Sequence, residues 1–175
     1  TALFEELPSA VAQRLLEMLP ADQRRAALTL IGYPEGSIGR LMTTEFVTVR
    51  PEWTVAQALE RIRTVGSDSE TISIVYVTDD QGHLRDELRL RALILSSPDT
   101  AIADLMDENV VHLNSYDPQE EAVRAFKKYD YFAMPVVDSD GVLLGIVTAD
   151  DVLDVAEEEA TEDIYKGAAI EPLEF

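Results

Sequence analysis

The sequence contains no cysteine, which excludes disulfides, zinc–thiolate centres and thiol chemistry together. Lysine is scarce, present at Lys127, Lys128 and Lys166, and 14 basic residues stand against 34 acidic ones for a net charge of −20. Nucleic acid and anionic lipid surfaces are bound through clustered Lys and Arg, so neither is an expected partner. No apolar run approaches the ~20 residues that span a bilayer as a helix, and the opening residues do not read as a signal peptide. A soluble piece is expected, one that can still belong to a larger membrane protein. The two histidines, His83 and His112, stand beside no nucleophile pattern, and no Gly-rich loop cradles phosphate, so no enzyme is expected.

What remains is a chain of 175 residues, 46% hydrophobic, which is enough for a core. An internal repeat organises it. Leu41-Met42-Thr43 recurs as Leu105-Met106-Asp107, and at that displacement Phe46-Val47-Thr48-Val49 lies over Val110-Val111-His112-Leu113. Further on, Val77-Thr78-Asp79-Asp80-Gln81-Gly82 matches Val136-Val137-Asp138-Ser139-Asp140-Gly141, with a displacement about five residues shorter. The first copy therefore carries extra residues near Gly66 to Glu70. A period near sixty residues suits two copies of a small α/β module better than a solenoid.

Each copy predicts the same order of elements. A short strand at Val47–Val49 or Val111–Leu113 precedes a helix with apolar positions at Val55, Leu59 and Ile62, or Ala122, Val123 and Phe126. An apolar run, Ile72–Val77 or Ala133–Val137, then enters an Asp- and Gly-rich turn. A second strand closes the hairpin, and a last helix starts near Leu90 or Ala149. Ahead of the repeats, Leu7, Val11, Leu15 and Leu19 fall on one helical face, and Asp22 is a candidate cap for a second helix through Leu30.

The second copy resembles a CBS domain. The matching residues are Met134-Pro135-Val136-Val137-Asp138 and Gly141 through Val152, including Thr148-Ala149-Asp150-Asp151. The segments Tyr33–Thr43 and Asp150–Ile164 narrow the likeness to the MgtE magnesium transporters. That resemblance implies an α+β fold of tandem CBS repeats (β-α-β-β-α units), preceded by a short helical N-domain remnant and followed by the start of a connecting plug helix. The implied boundaries are 1–32 for the remnant, 33–100 and 101–155 for the two repeats, and 156–175 for the plug helix and tail. It also implies a homodimer on the cytoplasmic side of the membrane, attached to a transmembrane pore domain, in which bound Mg2+ compacts the dimer and closes the pore.

Carried onto this sequence, the family's regulatory ions point to Asp130, Asp151 and Asp154, and on the long helix to Glu159, Glu162 and Asp163. The residue pattern supports a cation independently. Acids at 150, 151, 154, 157, 158, 159, 162 and 163 crowd one helix, and Asp154–Glu158 and Glu158–Glu162 are like-charge pairs at i,i+4. Magnesium is hard, keeps several waters and needs one or two carboxylates from each element. Plain solvated carboxylates are the competing reading of the same pattern.

Nucleotide is the second expectation. In many CBS domains Thr-x-x-Asp holds a ribose, which assigns Thr148 and Asp151 and leaves Asp151 with two readings. The first copy departs from this pattern. Asp86 stands in the place of a glycine, and Arg89-Leu90-Arg91-Ala92 replaces Thr-x-x-Asp. ATP-binding relatives use an Arg-Asp pair here, so Arg91 is retained without its carboxylate. The alternative functions are an adenine-nucleotide-sensing CBS module attached to another transporter or enzyme, and a CBS dimerisation module that binds nothing.

Overall fold

The computed structural model describes residues 32–170, together with Arg14, Leu15, residues 17–20 and Gln23; of Asp163 and residues 166–170 it describes the backbone alone. The helices expected before Ile31, with the Asp22 cap, lie almost wholly outside the described residues. A one-turn helix α1 (Ile38–Leu41) leads into the first repeat, which runs β1 (Thr48–Val49), α2 (Val55–Val65), β2 (Ile74–Thr78), β3 (Leu84–Arg89) and α3 (Leu90–Leu95). A second one-turn helix, α4 (Ile102–Leu105), leads into β4 (Leu113–Asn114), α5 (Gln119–Lys128), β5 (Ala133–Val137), β6 (Leu143–Thr148) and α6 (Ala149–Ile170). The expected tandem of β-α-β-β-α units is present. Among the described residues no helix is long and apolar enough to cross a membrane.

Each repeat forms a three-stranded sheet in which the first strand is parallel and the last antiparallel to the middle one. The middle strands β2 and β5 are buried along their whole length, as apolar runs without alternation require. The opening strands are shorter than expected. Val47 is fully buried, and its carbonyl accepts from Tyr76 N at 3.0 Å, yet ladder pairing is confined to Thr48 and Val49. In the second repeat pairing starts at Leu113 rather than Val111. The strand expected from Ile72 starts at Ile74, because the extra residues form a 3-10 turn (Gly66–Asp68) and Ser73 N bonds back to Thr71 Oγ1.

Helix α2 starts at a capping box: Gln57 N donates to Thr54 Oγ1, and Thr54 N donates to Gln57 Oε1. Helix α5 carries Glu120 and Glu121 in its first turn and Lys127 and Lys128 in its last, so its charges complement the helix dipole.

The two lead-in helices cross over. Ile38 N and Gly39 N donate to the carbonyls of Asp117 and Ser115, so α1 rests on the second repeat. Ile102 N and Ala103 N donate to Trp53 and Pro51, so α4 rests on the first. Accordingly Ile102 belongs to the core of Val49, Val75, Val77 and Leu93, and Ile38 to that of Val123, Val136, Val147 and Val152. Each such fully buried aliphatic side chain contributes about 1.5–3 kcal/mol relative to exposure. Trp53 packs beside the first of these cores.

The repeats join at their hairpin tips. Leu84 N donates to Gly141 O and Leu143 N to Gly82 O, both at 3.0 Å, and His83 bridges Val142. Beneath them Ile74, Tyr76, Ala133 and Ile146 form a third core shared by both sheets. His83 is structural, its Nδ1 lying 3.0 Å from the Asp79 carboxylate.

Candidate functional site

Helix α6 is the element on which the expected site depends. Its first two turns are anchored, with Val152 and Val155 buried against α5 and the second core. Beyond Ala156 one face still borders α5 and the α1 region as far as Glu162, while Ile164 and Tyr165 are each 71% exposed. The acids along it therefore sit on a helix that is fixed at one end.

Two open clefts border it. One, of about 660 Å³, is lined by Glu158, Glu159 and Glu162 of α6, Glu120 of α5, and Glu35 and Arg40 from around α1. Five carboxylates face one guanidinium there. One oxygen of Glu159, Oε1, is buried and has no hydrogen-bond partner among the described residues. The second, of about 640 Å³, is an open face of α6 alone, lined by Asp154, Glu157, Glu158, Thr161, Glu162 and Tyr165, with no opposing element among the described residues.

These clefts gather some of the expected residues and separate others. Glu159 and Glu162 meet in the first, and Asp154 and Glu162 in the second. Asp130, exposed in the loop between α5 and β5, lines neither. Asp151, in the first turn of α6, turns back to the end of β6, where its Oδ2 accepts from Thr148 Oγ1 at 3.0 Å. The side chain of Asp163 lies outside the described residues. Glu35 and Glu120 were not expected. They arrive because Gln119 N donates to Gly36 O and Gln119 Nε2 to Ser37 O, contacts between segments some eighty residues apart. No local signal in the sequence announces that approach. Among the described residues no three His, Asp or Glu side chains converge closely enough to hold a metal ion by themselves.

The nucleotide residues divide between pseudo-equivalent places. Thr148, 6% exposed, closes β6 and bonds Asp151 at the start of α6. Arg91 stands at the matching β3–α3 junction, in an open cleft of about 520 Å³ lined by Ser73, Arg89, Leu90, Ile94 and Leu95. Two guanidinium groups above aliphatic walls suit an anion with an apolar portion.

Beside that cleft is a cluster that sequence reasoning missed. Glu87 on β3 is half-buried and pairs across the ladder with Tyr76 of β2. Burial first, then the charges of Asp86 and Asp107, push its carboxyl up to about 7 against the opposing pull of Arg89. Tyr76 is fully buried, its hydroxyl has no partner among the described residues, and burial followed by the charge of Glu87 pushes its phenol upward. Asp86, 2% exposed, accepts from Glu87 N at its Oδ1 and from Asp107 N and Glu108 N at its Oδ2. Glu108, next in line, has a positive φ of 55° and an ion pair with Arg85.

The description of the CBS domain matches residues 38–96 and 102–158, which cover both repeats and their lead-in helices. This chain belongs to the CBS-domain family. Its CBS pair is similar to that of the magnesium transporter MgtE of Thermus thermophilus, with 44% identity over 93% of this chain and 36% of that protein. Among solved structures, the soluble part of a magnesium transporter matches with a TM-score of 0.73 and 37% identity, over 90% of this chain and 62% of that one. The cytosolic domain of the Mg2+ channel MgtE in complex with ATP matches with a TM-score of 0.70 and 43% identity, over 88% of this chain and 62% of that one. The CBS pair described here thus spans about a third of the length of the curated transporters it matches.

Proposed function

We propose that this CBS pair is the magnesium sensor of an MgtE-type transporter or channel and lies on the cytoplasmic side of the membrane. The observation that carries the reading is the cleft between α1, α5 and α6, where Glu35, Glu120, Glu158, Glu159 and Glu162 face Arg40 and one Glu159 oxygen is buried without a partner among the described residues. Such a donor set fits a hard, hydrated cation that takes one or two carboxylates from each element and bridges the rest through water.

Without a cation, the repulsion of these carboxylates favours separation of α6 from α1 and α5. With magnesium bound, the cost is offset and the compact arrangement is favoured. The switch is a population shift whose size equals the difference in cation affinity between compact and open states. In the homodimer of the full protein, compaction would be transmitted along α6 to an attached transmembrane pore and close it. Asp154, Asp130 and Asp163 serve as further ligands when a second subunit or an N-terminal domain supplies the opposing donors. Residues 1–32 would be the end of that N-terminal domain, 33–100 and 101–155 the two repeats, and 156–175 the beginning of the connecting helix. The role is regulatory rather than enzymatic.

The test is calorimetric titration of the metal-stripped protein with magnesium, repeated on Glu159→Gln/Glu162→Gln and on Asp151→Asn/Asp154→Asn, with small-angle scattering at each end point. Binding lost in the Glu159/Glu162 variant, together with a magnesium-dependent fall in radius of gyration for the unaltered protein, supports the reading. Equal weak heats from all three proteins would mean that the acids form only a solvated surface.

A second reading is favoured by the Arg89–Arg91 cleft and by similarity to an MgtE domain solved with ATP. Here an adenine nucleotide would place its phosphates on the two arginines and its base against Leu90, Ile94 and Leu95. Ala92 offers no carboxylate to the ribose, so the grip would rest on the phosphate chain.

A further inference from the structure

An acid, Glu87, precedes Arg89 by two residues on β3. Residues two apart on a strand share a face, so β3 presents Glu87 and Arg89 on the same side. Their ladder partners on β2 are Tyr76 and Ile74. Arg89 lines the cleft with Arg91, while Glu87, two residues earlier on the same strand face, is half-buried and does not line it. The groups that bear on Glu87 come from four elements: Tyr76 on β2, Asp86 and Arg89 on β3, Asp107 in the segment after α4, and Tyr131 just ahead of β5. Tyr131 belongs to the second repeat and feels both Glu87 and Arg89, so this cluster sits on the seam between the repeats.

Two features make the carboxyl responsive. Asp86 is engaged by three backbone amides, so its carboxylate stays fixed beside Glu87 and does not swing toward Arg89. The Tyr76 hydroxyl is buried without a partner among the described residues, so the neighbourhood holds an unsatisfied polar group and not a rigid network. Burial and two neighbouring acids, against one arginine, bring Glu87 to about 7, where it titrates across the physiological range.

We propose that Glu87 is a proton-dependent counter-charge to Arg89, so that the Arg89–Arg91 cleft binds the phosphate chain of an adenine nucleotide more tightly when Glu87 is protonated. The proposal rests on the nucleotide reading of the cleft and adds its regulation. When Glu87 is ionised, its carboxylate offsets part of the guanidinium potential that an incoming phosphate would feel. When it is protonated, both arginines present their full charge. Coupling between two sites is reciprocal: a bound polyphosphate withdraws the favourable influence of Arg89 from the Glu87 carboxylate, and Glu87 takes up a proton. Nucleotide sensing in this CBS pair therefore responds to cytoplasmic acidity through one residue that is not itself a ligand.

The experiment titrates metal-free ATP into the intact chain at pH 6 and pH 8 by calorimetry, for the unaltered protein and for Glu87→Gln, which is close in shape to the protonated acid. Each titration is run in two buffers of different ionisation enthalpy, which reports protons taken up on binding. Comparison of the two proteins cancels the titration of ATP itself. The unaltered protein should weaken by about fivefold more than Glu87→Gln between pH 6 and pH 8, a coupling at the lower end of the usual range. It should also take up a larger fraction of a proton near pH 7, while Glu87→Gln remains tight at both values. Parallel pH profiles and equal proton uptake in the two proteins would overturn the role of Glu87 and leave the nucleotide cleft standing. Absence of ATP binding by both proteins at both pH values would overturn the cleft reading and this inference with it.

Discussion

Asp86 on β3 and Gly145 on β6 hold the same place in the two repeats, opposite Val77 and Val136 respectively, and each faces the chain that leads into the other repeat. At Gly145 the backbones touch: Thr43 and Ile146 exchange two hydrogen bonds of 2.9 Å, and a Cβ on Gly145 would lie 2.6 Å from Thr43 O. At Asp86 a carboxylate fills the gap and takes the amides of Asp107 and Glu108. One junction is closed by the absence of a side chain, the other by the reach of one.

Opposite substitutions should therefore damage both junctions. Gly145→Ala overpacks against backbone and should cost about 1–3 kcal/mol. Asp86→Ala leaves buried amides without an acceptor and should cost a similar ~1–3 kcal/mol. Urea unfolding of the two variants measures both. Midpoints unchanged from the unaltered protein would refute this account of the junctions.

The Glu87 carboxyl gives stability a pH dependence of known sign. Its folded value, about 7, lies above the ordinary 4.5, so the folded state holds the proton more tightly than the unfolded chain. The contribution is fully present below the ordinary value and is lost as pH rises through about 7. Glu87→Gln should remove it. Between pH 5 and pH 8 the unaltered protein should lose stability relative to Glu87→Gln by an amount on the order of 1 kcal/mol, after discounting for solvent screening of a half-exposed group. Denaturation curves of both proteins at the two pH values settle the matter; a gap of the opposite sign would rule it out.

Much of the fold was legible because it is written locally. Apolar runs at β2 and β5, the Asp-Gly turns ending at Gly82 and Gly141, and the helix starts at Leu90 and Ala149 each lie within a few residues of their cause. The acids of α6 were legible for the same reason. Glu35 and Glu120 were not, since they reach the cleft through the crossing of α1 onto Asp117 and Ser115, which no local pattern encodes. Asp86 stood out as a departure from glycine, but its amide partners at 107 and 108 lie in another segment. Glu87 is one charged residue among several in Arg85-Asp86-Glu87, and its environment is set by Tyr76 and by the second repeat.

On α6, charge removal should act in opposite directions with and without metal. Glu158 faces Asp154 and Glu162 at i,i+4, and each like-charge pair costs a few tenths of a kcal/mol in a helix. In the metal-free protein Glu158→Gln should raise the melting temperature slightly. With millimolar magnesium, the unaltered protein should gain stability in proportion to RT ln(1 + [Mg2+]/Kd), and Glu158→Gln should gain less. Thermal unfolding with and without magnesium separates the two effects. If magnesium shifts both proteins equally, Glu158 is outside the site.

The hairpin tips offer the last test, because they join the repeats through two glycines. Gly82 and Gly141 have φ of 85° and 82°, and the carbonyl of each accepts from the opposite hairpin. At Gly82 an added Cβ would meet Val142 Cγ1 at 3.5 Å, an ordinary contact, so space is not the obstacle. The obstacle is the left-handed backbone, which costs an alanine about 1–2 kcal/mol. Gly82→Ala and Gly141→Ala should each lower stability by roughly that amount. Gly82→Asn should lower it by less, since asparagine visits this region more readily. Because the two tips bond each other, the double alanine variant should depart from additivity by about 0.5 kcal/mol or more in a double-mutant cycle. Strict additivity would mean that the tips fold independently, and the seam would then be held by Ile74, Tyr76, Ala133 and Ile146 beneath them.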